Sequence, residues 1–347
     1  MTSRERVLTA FLHKEPDCVP CWCGASVGFW NKAKRKTGLD DEALRLLVRD
    51  DFRKVSSAYV GPLSSTTEGS GGASLFGIQR SGIGYGQPLN HPLADAALRD
   101  LEKYAWPNPD WIDVTCIRDA ALRYQGRYAV LGGEWSPFWH DAIDLVGMEG
   151  LLYRMYDEPE FVDTLLAHIV DFYVEVNRRT FDAAGGAIDI FFMGNDFGSQ
   201  MGPLIGENMF RRFLLPSMRR LTNLGHDYSL KVMLHCCGGV APLIPAMIEA
   251  GIDGLQAIQP SCAGMDLAIL KSEFGKKLVF NGCIDSQHIL IGGTPSLIRQ
   301  NVQAVIGIMK PGGGFVASAS HNSILEETPV ENVLAMFDAI HEYGKYW

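Results

Sequence analysis

No stretch of this chain approaches the roughly 18 uninterrupted apolar residues that a membrane-spanning helix requires. Its opening residues, Met1-Thr2-Ser3-Arg4-Glu5-Arg6-Val7-Leu8, carry charge where a secretory signal has an apolar core, so a cytoplasmic location is expected. Positive charge is in deficit. The 31 Lys and Arg against 40 Asp and Glu leave a net charge of −9, which argues against partnership with nucleic acid or an anionic membrane surface. The eight cysteines, at 18, 21, 23, 116, 236, 237, 262 and 283, lack the density of a small disulfide scaffold. In a reducing compartment they are thiols, available as ligands. A dividing linker is also missing, as is any internal repeat beyond an alternation of strand-like and helix-like segments, so residues 1–347 are expected to form a single domain.

With 47% hydrophobic and 20% charged residues, the 347-residue chain can bury a substantial core. Short β-like runs occur at Val19 to Cys23, Ser57 to Val60, Tyr128 to Glu134, Ile188 to Asn195, Leu230 to Cys236, Gly254 to Ile258, Leu278 to Cys283 and Gly314 to Ser320. Amphipathic stretches separate them, among them Pro159 to Ala183, Glu207 to Leu224, Pro295 to Met309 and Pro329 to Tyr343. Thr294-Pro295 and Thr328-Pro329 place an N-cap residue before a first-turn proline. Eight βα units predict an α/β fold, a (β/α)8 TIM barrel. Residues 61–109 break the rhythm with Gly, Ser and Pro and read as an irregular excursion over the barrel mouth, with short strands near Leu75 to Gly84.

The most telling run is Leu230 to Gly238, an apolar strand ending in His235-Cys236-Cys237-Gly238. Side chains alternate along a strand, so His235 and Cys237 share a face while Cys236 points away. Imidazole and thiolate together suit zinc, and two ligands from one rigid strand leave room for a third and for an open position. The competing reading is that the cysteines are small buried hydrophobes and His235 a core histidine. Polar groups recur at the carboxyl ends of the other strands, which is where a βα barrel keeps its chemistry. They include Glu134, Asn195, Asp196, Gln259, Cys283 and His321.

Cys283 is the favoured third ligand, because thiolate binds zinc well and its strand end faces the same mouth; His321 is the alternative. Asp196 and Glu134 are the candidate acid and base groups, or substrate-orienting carboxylates. Trp135 and Trp139, with Phe138 and His140, form an aromatic loop after a strand end that suits a flat or apolar substrate; Asn195, Gln200 and His321 complete the proposed substrate contacts. Cys18, Cys21 and Cys23 read as core thiols, since no second C-x-x-C answers them. Pro311-Gly312-Gly313-Gly314 precedes a strand and so is not a phosphate loop.

From Asn195 onward the chain carries Asn195-Asp196-Phe197-Gly198-Ser199-Gln200, Leu234-His235-Cys236-Cys237-Gly238, Gly282-Cys283-Ile284-Asp285, Gly293-Thr294-Pro295 and Thr328-Pro329-Val330-Glu331-Asn332-Val333. With Glu15-Pro16-Asp17-Cys18-Val19-Pro20 near the start, this resembles the uroporphyrinogen decarboxylase superfamily, including its corrinoid-dependent methyltransferase branch, over nearly the full length. The resemblance implies a zinc-dependent methyltransferase that moves a methyl group between a small substrate, such as an aromatic O-methyl ether, and the cobalt of cobalamin on a partner corrinoid protein. It implies zinc on His235 and Cys237; the branch's later cysteine has no counterpart before Thr328-Pro329, where His321-Asn322 stands. The decarboxylases, the alternative, hold their tetrapyrrole with an arginine-bearing motif after the first strand. Here residues 23–30 contain no arginine.

Overall fold

Seven parallel strands form one curled sheet in the computed structural model, which describes residues 1–62, 75–81 and 86–347. They are β1 (Phe52–Lys54), β2 (Ala129–Gly132), β3 (Ile190–Gly194), β4 (Lys231–His235), β5 (Gly254–Ile258), β6 (Val279–Ile284) and β7 (Phe315–Ala319). Their order in the sheet is their order in the chain. Helices fill the connections, for example Pro159–Ala184 between β2 and β3 and Pro295–Met309 between β6 and β7. A parallel sheet needs such crossovers and covers itself with them. The residues of β3 and β6 are buried throughout, as a sheet lined on both faces requires.

Two expected strands come out differently. The run Val19 to Cys23, with its amide-free Pro20, forms no ladder. Cys21 makes an isolated parallel bridge to Ala317, and its carbonyl accepts the Asp51 amide at 3.0 Å. The expected eight-stranded barrel is thus observed as a seven-stranded curl, with Cys21 lying between its first and last strands. The second strand was expected at Ser57 to Val60, but the sheet strand is the earlier Phe52–Lys54, and Ala58–Tyr59 pairs antiparallel with Ile112–Asp113. Adjacent charges hide this strand in the sequence. Arg53 points away from the curl, pairs with Glu42 at 2.7 Å and lies 3.9 Å from the Tyr128 ring centre, so its charge is neutralised where a strand would normally show an apolar residue. In the 61–109 excursion, Arg80–Ser81 pairs with Gln87–Pro88; residues 82–84 of the expected short strands lie outside the described residues.

The apolar mass lies in two layers. One separates the sheet from its helices; the other fills the curl with Phe52, Leu131, Ile190, Phe192, Met233 and Val316. Val7 and Phe11 of the helix Ser3–Phe11 join the inner layer, and Phe11 sits against Gly254 at the start of β5. This helix therefore plugs the amino-terminal end. Toward the other end the interior turns polar: Ser318 donates to Asn281 at 2.7 Å, and His235 and Lys54 follow.

One buried acid sets a pH dependence. On the helix Phe138–Val146, burial pushes the Asp141 carboxyl up to about 7; neighbouring Asp144 adds to this, while Tyr173, His140 and Arg80 oppose it. Tyr173 donates to it at 2.6 Å. The folded chain holds a proton here that an unfolded Asp, near 3.8, has released. The stability from this group is therefore complete below about pH 4 and is lost as the pH rises toward 7, by up to about 4 kcal/mol. Asp141→Asn, which keeps an oxygen for Tyr173, is expected to raise the melting temperature at pH 8 and to flatten its decline between pH 5 and 8. An unchanged slope would contradict this assignment.

Candidate metal centre

The carboxyl ends of β3 and β4 bring three donor atoms together. Asp196, His235 and Cys237 each offer a ligand atom, all within 4.8 Å of one another, the one such group among the described residues. His235 Nε2 is 3.2 Å from Cys237 Sγ and 3.4 Å from Asp196 Oδ1. Tetrahedral bonding at ordinary zinc distances separates such atoms by about 3.3–3.6 Å. The two His235 separations therefore stand near zinc-binding spacing, and the Asp196 and Cys237 donors lie within 4.8 Å of each other.

Backbone contact explains how two loops come this close. Asp196 Oδ1 accepts the Cys237 amide at 2.7 Å. Gly238 has φ +90°, and a Cβ there would stand 2.6 Å from the carbonyl carbon of Gly198. Only glycine allows both the turn and the approach. Cys236 turns away, as strand alternation requires, and its buried sulfur accepts the Phe197 amide at 3.3 Å.

His235 is held in one tautomer. Gln256, fully buried in β5, donates from Nε2 to the His321 carbonyl at 3.3 Å, so its Oε1 accepts the His235 Nδ1–H at 2.5 Å. The Nε2 lone pair then faces Cys237 and Asp196. This is the outer-shell hydrogen bond typical of a metal-binding histidine. Burial lowers the His235 pKa, which outweighs the raising effect of Asp196 and keeps the ring neutral. Burial raises the Asp196 pKa, but the adjoining His140, the His235 ring, which is protonated in the acid range where Asp196 titrates, and the Cys237 amide together hold it well below the usual carboxylate range. His140 Nε2 lies 3.6 Å from Asp196 Oδ2. The Cys237 thiol is pushed up by burial and then by Asp196, so without a cation it keeps its proton.

The other expected residues divide. Cys283 lies in the layer between sheet and helices, fully buried, with Lys271 of the helix Leu267–Phe274 as the charged group acting on it. Strict alternation from Val279 would have turned it inward. Gly282 at φ +125° and Cys283 at φ +75° break the pleat and send the thiol outward, away from the His235 cluster. His321 stays at the site: its carbonyl binds Gln256, its Nδ1 is 2.9 Å from the Ser323 carbonyl, and its ring is near enough to depress the His235 pKa. Trp135 lines the mouth, with its ring centre 5.3 Å from that of His235. Gly194 makes room for it, since a Cβ there would fall 2.0 Å from the indole. Glu134 is also close by, its pKa raised by burial against the pull of Ser57 and Lys54.

Trp139 and Asn195 are structural instead. Trp139 is fully buried in the outer core. Asn195, also fully buried, accepts the Trp139 amide at 2.9 Å and donates to the Ser136 carbonyl at 3.1 Å, clamping the loop after β2. Both amide ends are thereby engaged by backbone, and the side chain is fully buried. Gln200 is exposed in the tight turn between Ser199 and Gly202. Cys21 and Cys23 are buried core thiols, and Cys21 Sγ is 3.2 Å from the Arg49 carbonyl. The expected site did not include Gln256, and it placed His140 only in the aromatic loop, not beside Asp196. Gln256 did leave a signal, a lone amide inside the apolar strand Gly254-Leu255-Gln256-Ala257-Ile258.

The fold and this donor cluster are those of a βα-type enzyme with its polar groups gathered at the strand ends. The family model for uroporphyrinogen decarboxylase (URO-D) matches residues 90–343, and the chain belongs to that family. It is 26% identical over 276 residues to a uroporphyrinogen decarboxylase of Alkalilimnicola ehrlichii, covering 75% of this chain and 70% of that one. It is 25% identical over 271 residues to a methylated-thiol–coenzyme M methyltransferase of Methanosarcina mazei, covering 75% of this chain and 67% of the relative. A solved methyltransferase structure from Methanosarcina mazei superposes with a TM-score of 0.69 at 20% identity over 99% of both chains. No helix among the described residues is long and apolar enough to cross a membrane.

Proposed function

We propose that this chain is a zinc-dependent methyltransferase, transferring a methyl group between a small substrate and the cobalt of a corrinoid carried by a partner protein, and that residues 1–347 act as one barrel-type domain. The observation that carries the reading is the convergence of His235 Nε2, Cys237 Sγ and Asp196 Oδ1, with Gln256 fixing the histidine tautomer. His235, Cys237 and Asp196 would hold the ion, with His321 the adjacent group able to complete the set. A zinc ion there supplies a Lewis acid for the substrate's oxygen or sulfur and lowers the pKa of a bound thiol. The chain's own groups do the rest: Gln256 keeps Nε2 free to bind, and Trp135 presents a flat apolar wall beside the donors. The methylated-thiol methyltransferase among the relatives supports the reaction class. An aromatic O-methyl ether remains the proposed donor, given that wall.

The direct test is methylation of reduced cobalamin by the zinc-loaded chain with a panel of methyl ethers and thioethers, alongside uroporphyrinogen as substrate. Zinc-dependent methylcobalamin formation is the expected result; metal-independent consumption of uroporphyrinogen would establish the decarboxylase instead. The absence of arginine from residues 23–30 weighs against that alternative. Gln256→Leu is expected to weaken zinc binding by about 10- to 100-fold, the usual consequence of removing an outer-shell partner. Competition with a zinc-sensitive chelating dye measures it, and an unchanged affinity would remove Gln256 from the account.

A further inference from the structure

A second polar group stands at the same mouth. Lys54 ends β1 on the inward face, in register with Phe52, and its side chain is exposed there. Among the described residues its ammonium has no hydrogen-bond or ion-pair partner; Glu134 acts on it only as a nearby charge. Its Nζ lies 5.8 Å from the Trp135 ring centre and 6.0 Å from that of Phe192. The indole is thus in reach of both Lys54 and His235, and the two ends of the site are separated by no more than the 5.8 Å and 5.3 Å steps taken end to end. One planar ring carrying a heteroatom at one end and a second group at the other spans that gap along the indole.

We infer that Lys54 binds a carboxylate on the substrate, so that the methyl donor is a small planar carboxylic acid such as a methoxy-substituted benzoate rather than a neutral ether. This rests on the methyl-transfer reading above and narrows its substrate class. Glu134 is compatible with it: Ser57 engages its carboxyl group, and burial raises its pKa, which weakens but does not remove the negative charge it sets beside Lys54. An ammonium flanked by two aromatic rings and open to the mouth gains a partner when an anion arrives, whereas a neutral ether leaves it without one.

The test is calorimetric titration of the zinc-loaded full chain with para-methoxybenzoate and with its neutral amide, para-methoxybenzamide, in the wild type, Lys54→Met, Lys54→Arg and Glu134→Gln. The wild type is expected to prefer the acid by about 10- to 100-fold, the worth of a charged hydrogen bond. Lys54→Met should abolish that preference while leaving amide binding unchanged; Lys54→Arg should keep it, and Glu134→Gln should tighten the acid. Equal binding of acid and amide by the wild type, or acid binding indifferent to Lys54→Met, would overturn the inference. Reduced cobalamin supplied in the same preparations separates the two levels. Methyl transfer from neutral ethers without preference for the acid sinks the carboxylate assignment alone. Lys54-dependent acid binding with no methyl transfer from any donor sinks the methyl-transfer reading, and with it the assignment of a donor.

Discussion

Cys237→Ala is expected to lose bound zinc and methyl transfer together while the fold persists. Removing one of three converging donors should weaken zinc by more than the roughly 100-fold attached to loss of an outer-shell partner. Cys237 sits at the rim, and its sulfur engages only the site itself, at 3.2 Å from His235. The thermal unfolding of the metal-free variant should therefore stay close to that of the metal-free wild type. Cys236→Ala is the informative contrast. That sulfur is buried behind the strand and accepts the Phe197 amide, so its loss should lower stability by about 1–2 kcal/mol yet leave one zinc per chain. Metal analysis and calorimetry on the two variants check the pair. Equal zinc retention would remove Cys237 from the ligand set.

Gly238→Ala is expected to damage both stability and metal affinity. The residue has φ +90°, and its new Cβ would press on the Gly198 carbonyl carbon at 2.6 Å and the Ser199 amide nitrogen at 2.8 Å. Backbone strain and displacement together should cost about 2–4 kcal/mol. Because the same contact sets the 2.7 Å bond from the Cys237 amide to Asp196, separating the loops should also loosen the donor set. Gly206→Ala is the control: it has ordinary φ and open space around the added methyl, so the change should stay within about 0.5 kcal/mol. Denaturant unfolding of both variants, with zinc titration, measures the effect. Equal behaviour would show that the two loops do not depend on backbone contact.

The parallel sheet was legible because β3 to β7 are apolar runs bounded by turns, and β5 falls where the periodicity puts it, at Gly254–Ile258. The first strand was not, because Arg53 and Lys54 make it look like surface; only the ion pair to Glu42 and the packing on Tyr128 let Arg53 be buried there. That His235 and Cys237 share a face could be read from two-residue alternation alone. Cys283 was misplaced by the same rule, applied across a pleat that Gly282 and Cys283 interrupt with two positive φ angles. Asn195 and Trp139 resembled site residues because they flank a strand end, but Asn195 spends its amide on the Trp139 and Ser136 backbones. Position at a strand end identifies candidates, while the destination of each hydrogen bond decides between site and scaffold.

In the proposed centre zinc is held by one sulfur, from Cys237, together with His235 and an oxygen or second nitrogen donor. X-ray absorption at the zinc edge of the loaded chain tests it most directly. One sulfur at about 2.3 Å is expected, with the remaining ligands, nitrogen or oxygen, at about 2.0–2.2 Å. Two sulfur ligands would return Cys283 or another thiol to the sphere, and a chain that retains no zinc would rule out the metal centre.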